Sequence, residues 1–392
     1  MRYTLALIVA AALCCTVAVA QVEIPEGFEI VEINRSDYFR GPPDINACGQ
    51  IVFDQRLTPE YLSSEIFLYD NGKLVRITEN SVRDRAPHLN DGGTIVWERR
   101  TRGVQDNEIM LYRDGKTTIL DANRKGVVAG YINNLGHVAW GRVRQNHCPL
   151  RSVIVFWDGQ SIIQISENDD FFEQHSELND HDEIAWSHKD SCVNPWVGDI
   201  RLWSDGRTIV LPSNFLQAQC PSINNVRQVA WDTPGGVEFW EDGKTVLLID
   251  EGAIPEVNNL GDIFFIRFYE ENRSWDAWLY RVSDGNPRFY RLTDEDPWNV
   301  GGEINDWGEV AWSWGEDPPN WPGGIRLLRR IRTGDAEFDG DVDLVDYTAF
   351  ADCMTGPGRV DRLCDCRFLD IDHDGDVDLG DFALFQNAFT GE

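Results

Sequence analysis

One unit recurs seven times along this chain: an apolar residue and asparagine, a turn, a β-run ending in an aromatic, a second such run, and a hairpin signal. The asparagines are Asn46, Asn90, Asn133, Asn179, Asn224, Asn258 and Asn305, spaced 44, 43, 46, 45, 34 and 47 residues apart. A period near forty constrains the fold severely, because each unit is one small module that buries its faces only against its neighbours. Behind the asparagines stand runs such as Ile51-Val52-Phe53, Ile95-Val96-Trp97, Val138-Ala139-Trp140 and Val310-Ala311-Trp312. The second runs end near Tyr69, Tyr112, Trp157, Trp203, Trp240 and Tyr280. Asn71-Gly72, Asp114-Gly115, Asp158-Gly159, Asp205-Gly206, Asp242-Gly243 and Asp284-Gly285 then mark tight hairpins, since type I′ turns need residues that tolerate positive φ.

Each unit therefore reads as four short antiparallel strands. Stacking such sheets radially gives an all-β fold, a seven-bladed β-propeller of four-stranded blades over residues 21–332. The asparagine side chain is expected to close the first turn by bonding its own backbone two residues on. The strand-end aromatics are expected to pack between blades. The seventh unit lacks a hairpin, and Phe28-Glu29-Ile30-Val31-Glu32-Ile33, ahead of the first unit, can supply its outer strand and close the ring. The repeat resembles those of TolB-type bacterial propellers, which implies a fold and says little about activity.

Residues 1–20 join Arg2, an apolar run from Leu5 to Val19, and Ala18-Val19-Ala20. They read as a signal peptide cut before Gln21, so the chain is expected to be secreted, extracellular or held at a cell surface. No later stretch is long and apolar enough for a membrane span. With 66 acidic against 35 basic side chains, the surface repels phosphate backbones, and nucleic acid is excluded as a partner.

The acidity is concentrated at the end: residues 333–392 hold 16 acids against 3 bases. Asp370, Asp372, Asp374, Asp378 and Asp381 fall on positions 1, 3, 5, 9 and 12 of a loop that turns at Gly375, with Asp376 offering its carbonyl at position 7. That is the oxygen cage of a hard cation. Thirty-five residues earlier the loop recurs as Asp335, Glu337, Asp339, Gly340, Asp341, Asp343 and Asp346, and Leu344/Leu379, Tyr347/Phe382 and Phe350/Phe385 keep the register. Two Ca2+ ions are expected. Aspartate at position 12 and one helix after each loop resemble the type I dockerin, a small all-α calcium-binding domain. The resemblance implies a cohesin-like partner domain on a scaffold or surface protein, met through loop positions 10 and 11, here Leu344-Val345 and Leu379-Gly380.

Seven cysteines follow Ala20; in an exported chain some pair, and an odd number leaves one over. Cys148 with Cys192 is the leading bridge, with Cys192–Cys220 as the alternative. Cys353 is expected to pair with Cys364 or Cys366, stapling a module too small for a large core.

Two sets of ring residues are candidate sites. Arg56, Arg99, Arg100, Arg142, Arg144, His188, Lys189 and Arg267 follow the first strand-end aromatics. On one face they either form an anion site for uronate or sulfate groups or pair with neighbouring acids. Asp44, His88, Tyr131, Glu177, Ser222, Glu256 and Glu303 stand two before each asparagine and should face the central channel, to hold a cation, to act as an acid/base pair, or simply to be solvated. No catalytic motif is visible, which leaves enzyme activity open. The sequence thus favours a secreted propeller that recognises an extracellular ligand, a polysaccharide, while its tail docks in a calcium-dependent way. The alternative is a polysaccharide lyase or glycoside hydrolase sited on the propeller.

Overall fold

The computed structural model describes the chain apart from residues 1–21, 39–40, 59–62, 103–105, 124, 146–150, 168–170, 190–196, 271–272, 284, 295–297, 317–321, 338–339, 355–363 and 391–392. The signal segment, Cys148, Cys192, Asp284 and Asp339 therefore lie outside the described residues.

The molecule is mostly β, and its strands follow the repeat. Asp44–Ile45, Ile51–Gln55, Glu65–Asp70 and Lys73–Arg76 pair antiparallel in chain order. Four more four-stranded sheets of the same order follow, up to Lys244–Asp250. The remaining strands share one eight-stranded sheet, in which a single parallel bridge, Trp275 to Trp298, joins two halves. Its far edge is Phe28–Ser36, which runs antiparallel to Gly323–Arg330 and so ties the start of the ring to its end. The sheets pack face to face as a β-propeller.

The layers between sheets are apolar. Phe53, Trp97, Trp140, Trp186, Trp231, Phe265 and Trp312, each seven residues after its asparagine, are at most 1% exposed. Trp140 packs with Val96 of the preceding repeat, and Trp231 with Ala185. Burying an indole also buries its N–H, which needs an acceptor. Trp140 donates to Asp121 at 2.9 Å, Trp186 to Glu173 at 2.7 Å and Trp231 to Glu238 at 3.0 Å.

The asparagines bond farther than the sequence suggests. In all seven units Oδ1 accepts the backbone N–H four residues on, at 2.8–3.0 Å. The expected bond two residues on is added only at Asn179, Asn258 and Asn305. The side-chain amide of each then donates to the backbone carbonyl of the next unit's asparagine. The circuit runs Asn46 to Asn90, Asn133, Asn179, Asn224, Asn258, Asn305 and back to Asn46, at 2.8–3.1 Å. One side chain thus closes its own turn and fastens it to the neighbouring repeat.

Past the ring, the helices Leu344–Cys353 and Leu379–Ala388 pack through Val342, Phe350, Leu369, Val377 and Phe385, stapled by the Cys353–Cys366 disulfide. Cys364 departs from expectation: it bonds not to Cys353 but to Cys48, in the first asparagine turn of the ring. The 3₁₀ segment Cys364–Phe368 lies against that turn, which brings the two Cα atoms to 4.2 Å. Cys220 is free. Among the described residues no helix is long and apolar enough to cross a membrane.

Candidate metal centres

In the tail, local chemistry shapes both loops alike. Asp343 and Asp378 cap the two helices, each accepting the N–H two residues on, from Val345 and Gly380. Asp346 and Asp381, three residues further, complete the capping boxes and are fully buried. Asp346 accepts from Ala336 N–H at 2.5 Å and Asp343 N–H at 2.8 Å. Asp381 accepts from Ile371 at 2.5 Å, Asp372 at 3.0 Å and Asp378 at 2.9 Å. Each of these aspartates therefore binds the start of its loop to the end. The turns at Gly340 and Gly375 have φ of 102° and 100°, a conformation open to glycine and costly for side chains with a Cβ.

Carboxylates converge within the loops. One oxygen each from Glu337, Asp343 and Asp346 lies within 4.8 Å of the others; so do those of Asp370, Asp372 and Asp374, and of Asp376, Asp378 and Asp381. A slight loss of solvation and the charge of Asp381 raise the exposed Asp372 carboxyl from its ordinary value. Asp335 and Asp341 lie in the first loop, while Asp339 is outside the described residues. Leu344, Val345 and Leu379 are exposed at the helix starts, and Gly380 sits beside the Asp372 and Asp378 carboxylates.

The second loop also touches the ring. Asp370 accepts from Arg332 at 2.9 Å and from Asn71, in the first hairpin, at 2.8 Å. Arg367 reaches Glu309 at 2.5 Å, and Phe368 packs edge-on against Trp307. Sequence reasoning missed this junction; its one signal was basic residues, Arg332 and Arg367, beside so many acids.

The ring arginines meet acids. Arg99 grips Asp84 through two nitrogens at 2.7 and 2.9 Å, Arg100 holds Glu98 at 3.0 Å, Arg142 holds Asp121 at 2.9 Å, and Arg267 holds Glu251 at 2.5 Å. His188 meets Glu173 at 2.8 Å and Lys189 meets Gln219 at 3.4 Å. Arg56 lies past the first strand-end aromatic, beside Gln55 and Leu57. Arg99, Arg100, Arg142 and Arg267 thus follow the pairing alternative.

The channel residues do converge. Glu177, Glu256 and Glu303 bring one oxygen each within 4.8 Å, and Asp44, His88 and Glu303 do the same. Burial pushes Glu177 up to about 7 and raises Glu256 and Glu303 well above the carboxylate range, helped by one another's charge. Tyr131 stacks on His88 with ring centroids 3.7 Å apart, and Ser222 Oγ accepts the Val257 N–H at 3.0 Å. Among the described residues no histidine ring bonds to a serine or threonine hydroxyl; His137 meets Asp182, and His175 meets Cys220.

No family model and no curated protein matches the chain. Solved structures do resemble the ring. The β-propeller domain of the Trilobed protease from Pyrococcus furiosus superposes with a TM-score of 0.54 at 10% identity, over 74% of this chain and 92% of that one. Pyrococcus horikoshii acylaminoacyl peptidase gives 0.52 at 14% identity, over 74% of this chain and 52% of its own. A puromycin-hydrolyzing peptidase of Mycobacterium tuberculosis gives 0.53 at 14% identity, over 75% and 52%. This chain thus spans about half the length of those two peptidases, and the likeness is one of fold.

These findings correct the functional expectation. A polysaccharide-recognising or polysaccharide-cleaving propeller with a tail free to dock on a cohesin is overturned: the similar propellers belong to peptidases, and the tail is bonded covalently to the ring through Cys48–Cys364.

Proposed function

We propose that this chain is an exported, non-catalytic β-propeller that holds peptides for a hydrolase supplied by another chain, with a calcium-ordered tail fixed at its rim. The ring, residues 21–332, counts as seven four-stranded blades if the eight-stranded sheet is divided at its lone parallel bridge; the seven-membered asparagine circuit supports that count. The peptide reading draws on the peptidases that share the architecture, and the non-catalytic reading on histidines that pair with acids or a thiol rather than with a hydroxyl nucleophile. Disulfides at Cys48–Cys364 and Cys353–Cys366 suit an oxidising compartment.

The observation that carries the tail reading is the paired bracing by Asp346 and Asp381, which holds two copies of one acidic loop in the same shape. The donor sets are carboxylate oxygens around a glycine turn, which fit Ca2+. Asp335, Glu337, Asp339, Asp343 and Asp346 would hold one ion, and Asp370, Asp372, Asp374, Asp378 and Asp381 the other, with carbonyls of Asp341 and Asp376. We keep the resemblance to type I dockerins for this ion chemistry alone.

Calorimetric titration of the full chain with CaCl2 tests the tail: sites should be lost in Asp346→Ala and Asp381→Ala. Peptide retention and peptide hydrolysis, measured side by side, test the ring. Retention without turnover supports the reading; turnover by the chain alone, or no retention, contradicts it.

A further inference from the structure

We propose that the propeller's axial channel is itself a divalent-cation site, formed by Glu177, Glu256 and Glu303, with Asp44 and His88 on the side that Glu303 shares. Each of the three carboxylates stands two residues before its repeat's asparagine, on the innermost strands Phe172–Leu178, Gly252–Val257 and Trp298–Ile304. One oxygen from each lies within 4.8 Å of the others, a span that a single ion can bridge.

The second observation is an orphan. Glu256 is 8% exposed, and its Oε2 is buried without a hydrogen-bond partner. Elsewhere the ring supplies its buried acids with donors: Asp84 has Arg99, Glu98 has Arg100 and Asn107, Asp276 has Arg291, Glu173 has Trp186 and His188, and Glu238 has Trp231, Ser213 and Asn214. On the axis the groups acting on the three glutamates are one another, Asp44, Ser222 and the Ile223 N–H. Those acids have guanidinium, indole, imidazole or amide donors, whereas on the axis carboxylates face one another, an arrangement that a cation completes.

The donor chemistry fixes the class. Carboxylates select hard ions such as Ca2+ and Mn2+, and an imidazole at the flank is compatible with Mn2+. The ion would join inner strands of three different repeats. This site is independent of the tail loops.

The test uses the full chain carrying Asp346→Ala and Asp381→Ala, which disables the tail loops, probed with MnCl2 and CaCl2. Electron paramagnetic resonance should report bound Mn2+ in that chain, displaced by Ca2+, and the ring's melting temperature should rise with either ion. Adding Glu256→Gln and Glu303→Gln should weaken binding by more than the ~100-fold that loss of a mere outer-shell partner costs, and should leave a ring at least as stable without metal. Absence of bound Mn2+ in the tail-disabled chain, or a melting rise that survives both glutamine substitutions, overturns the proposal in favour of carboxyl groups that simply share protons. If the quadruple variant does not fold, the Mn2+ signal of the tail-disabled chain decides alone.

Discussion

The ring and the tail are both built by duplication, yet the positions that repeat differ in kind. In the ring the recurring residues are apolar or neutral: a fully buried aromatic seven residues after an asparagine that bonds both its own turn and the next. In the tail the recurring residues are acids, with a small apolar cluster around Phe350 and Phe385. A repeat of buried aromatics can hold itself together, whereas a repeat of converging carboxylates repels itself until a cation arrives. Ligand dependence is therefore expected where carboxylates converge, and three substitutions in the ring probe the contrast.

The largest effect belongs to the ring's apolar layer. Trp186→Ala should cost about 3–5 kcal/mol by leaving a cavity and removing the indole donor to Glu173 Oε2, read as a fall in the denaturant midpoint of equal size with calcium and in EDTA. A fall confined to EDTA would blur the contrast between the two regions. Next is the circuit. Asn133 is 4% exposed, accepts from His137 N–H and donates to the Asn179 carbonyl and to Asp182. Asn133→Ala should cost about 1–3 kcal/mol, since it leaves the buried Asn179 carbonyl without its donor; a neutral result would make the circuit a bystander.

The smallest effect is one of pH. Burial pushes Asp54 up to about 6 from its ordinary 3.8, so the fold prefers its protonated form. Its contribution to stability is full below pH 3.8 and is lost as pH rises through about 6, on the order of 3 kcal/mol at most. Asp54→Asn should make the ring's melting temperature decline less over that window. An unchanged profile would mean that the Ala86 N–H and the nearby arginines hold the carboxylate charged.

Much of this was legible in the sequence because repetition multiplies weak signals. The asparagine turns, the hairpins at Asp114-Gly115 and Asp205-Gly206 with positive φ at both residues, and the buried aromatics all recur at fixed offsets. The two acidic loops were legible for the same reason. What stayed hidden depends on contacts between repeats. Nothing within one unit says that an amide reaches the carbonyl of the following asparagine 34–47 residues away. Cys48 and Cys364 are 316 residues apart, and cysteine spacing does not determine pairing. Which acid each arginine past the strand-end aromatics meets stayed hidden too, because the partners Asp84 and Asp121 come from adjoining strands.

Hydrogen exchange of the full chain, disulfides intact, with calcium and then with EDTA tests the central contrast most directly. The account predicts that amides of Leu344–Cys353 and Leu379–Ala388 lose protection in EDTA by about 100-fold or more, while those of buried strands such as Val138–Gln145 stay protected. Helices that keep their protection in EDTA would contradict it, and would mean that the disulfides and the Phe350–Phe385 cluster hold the tail without any ion.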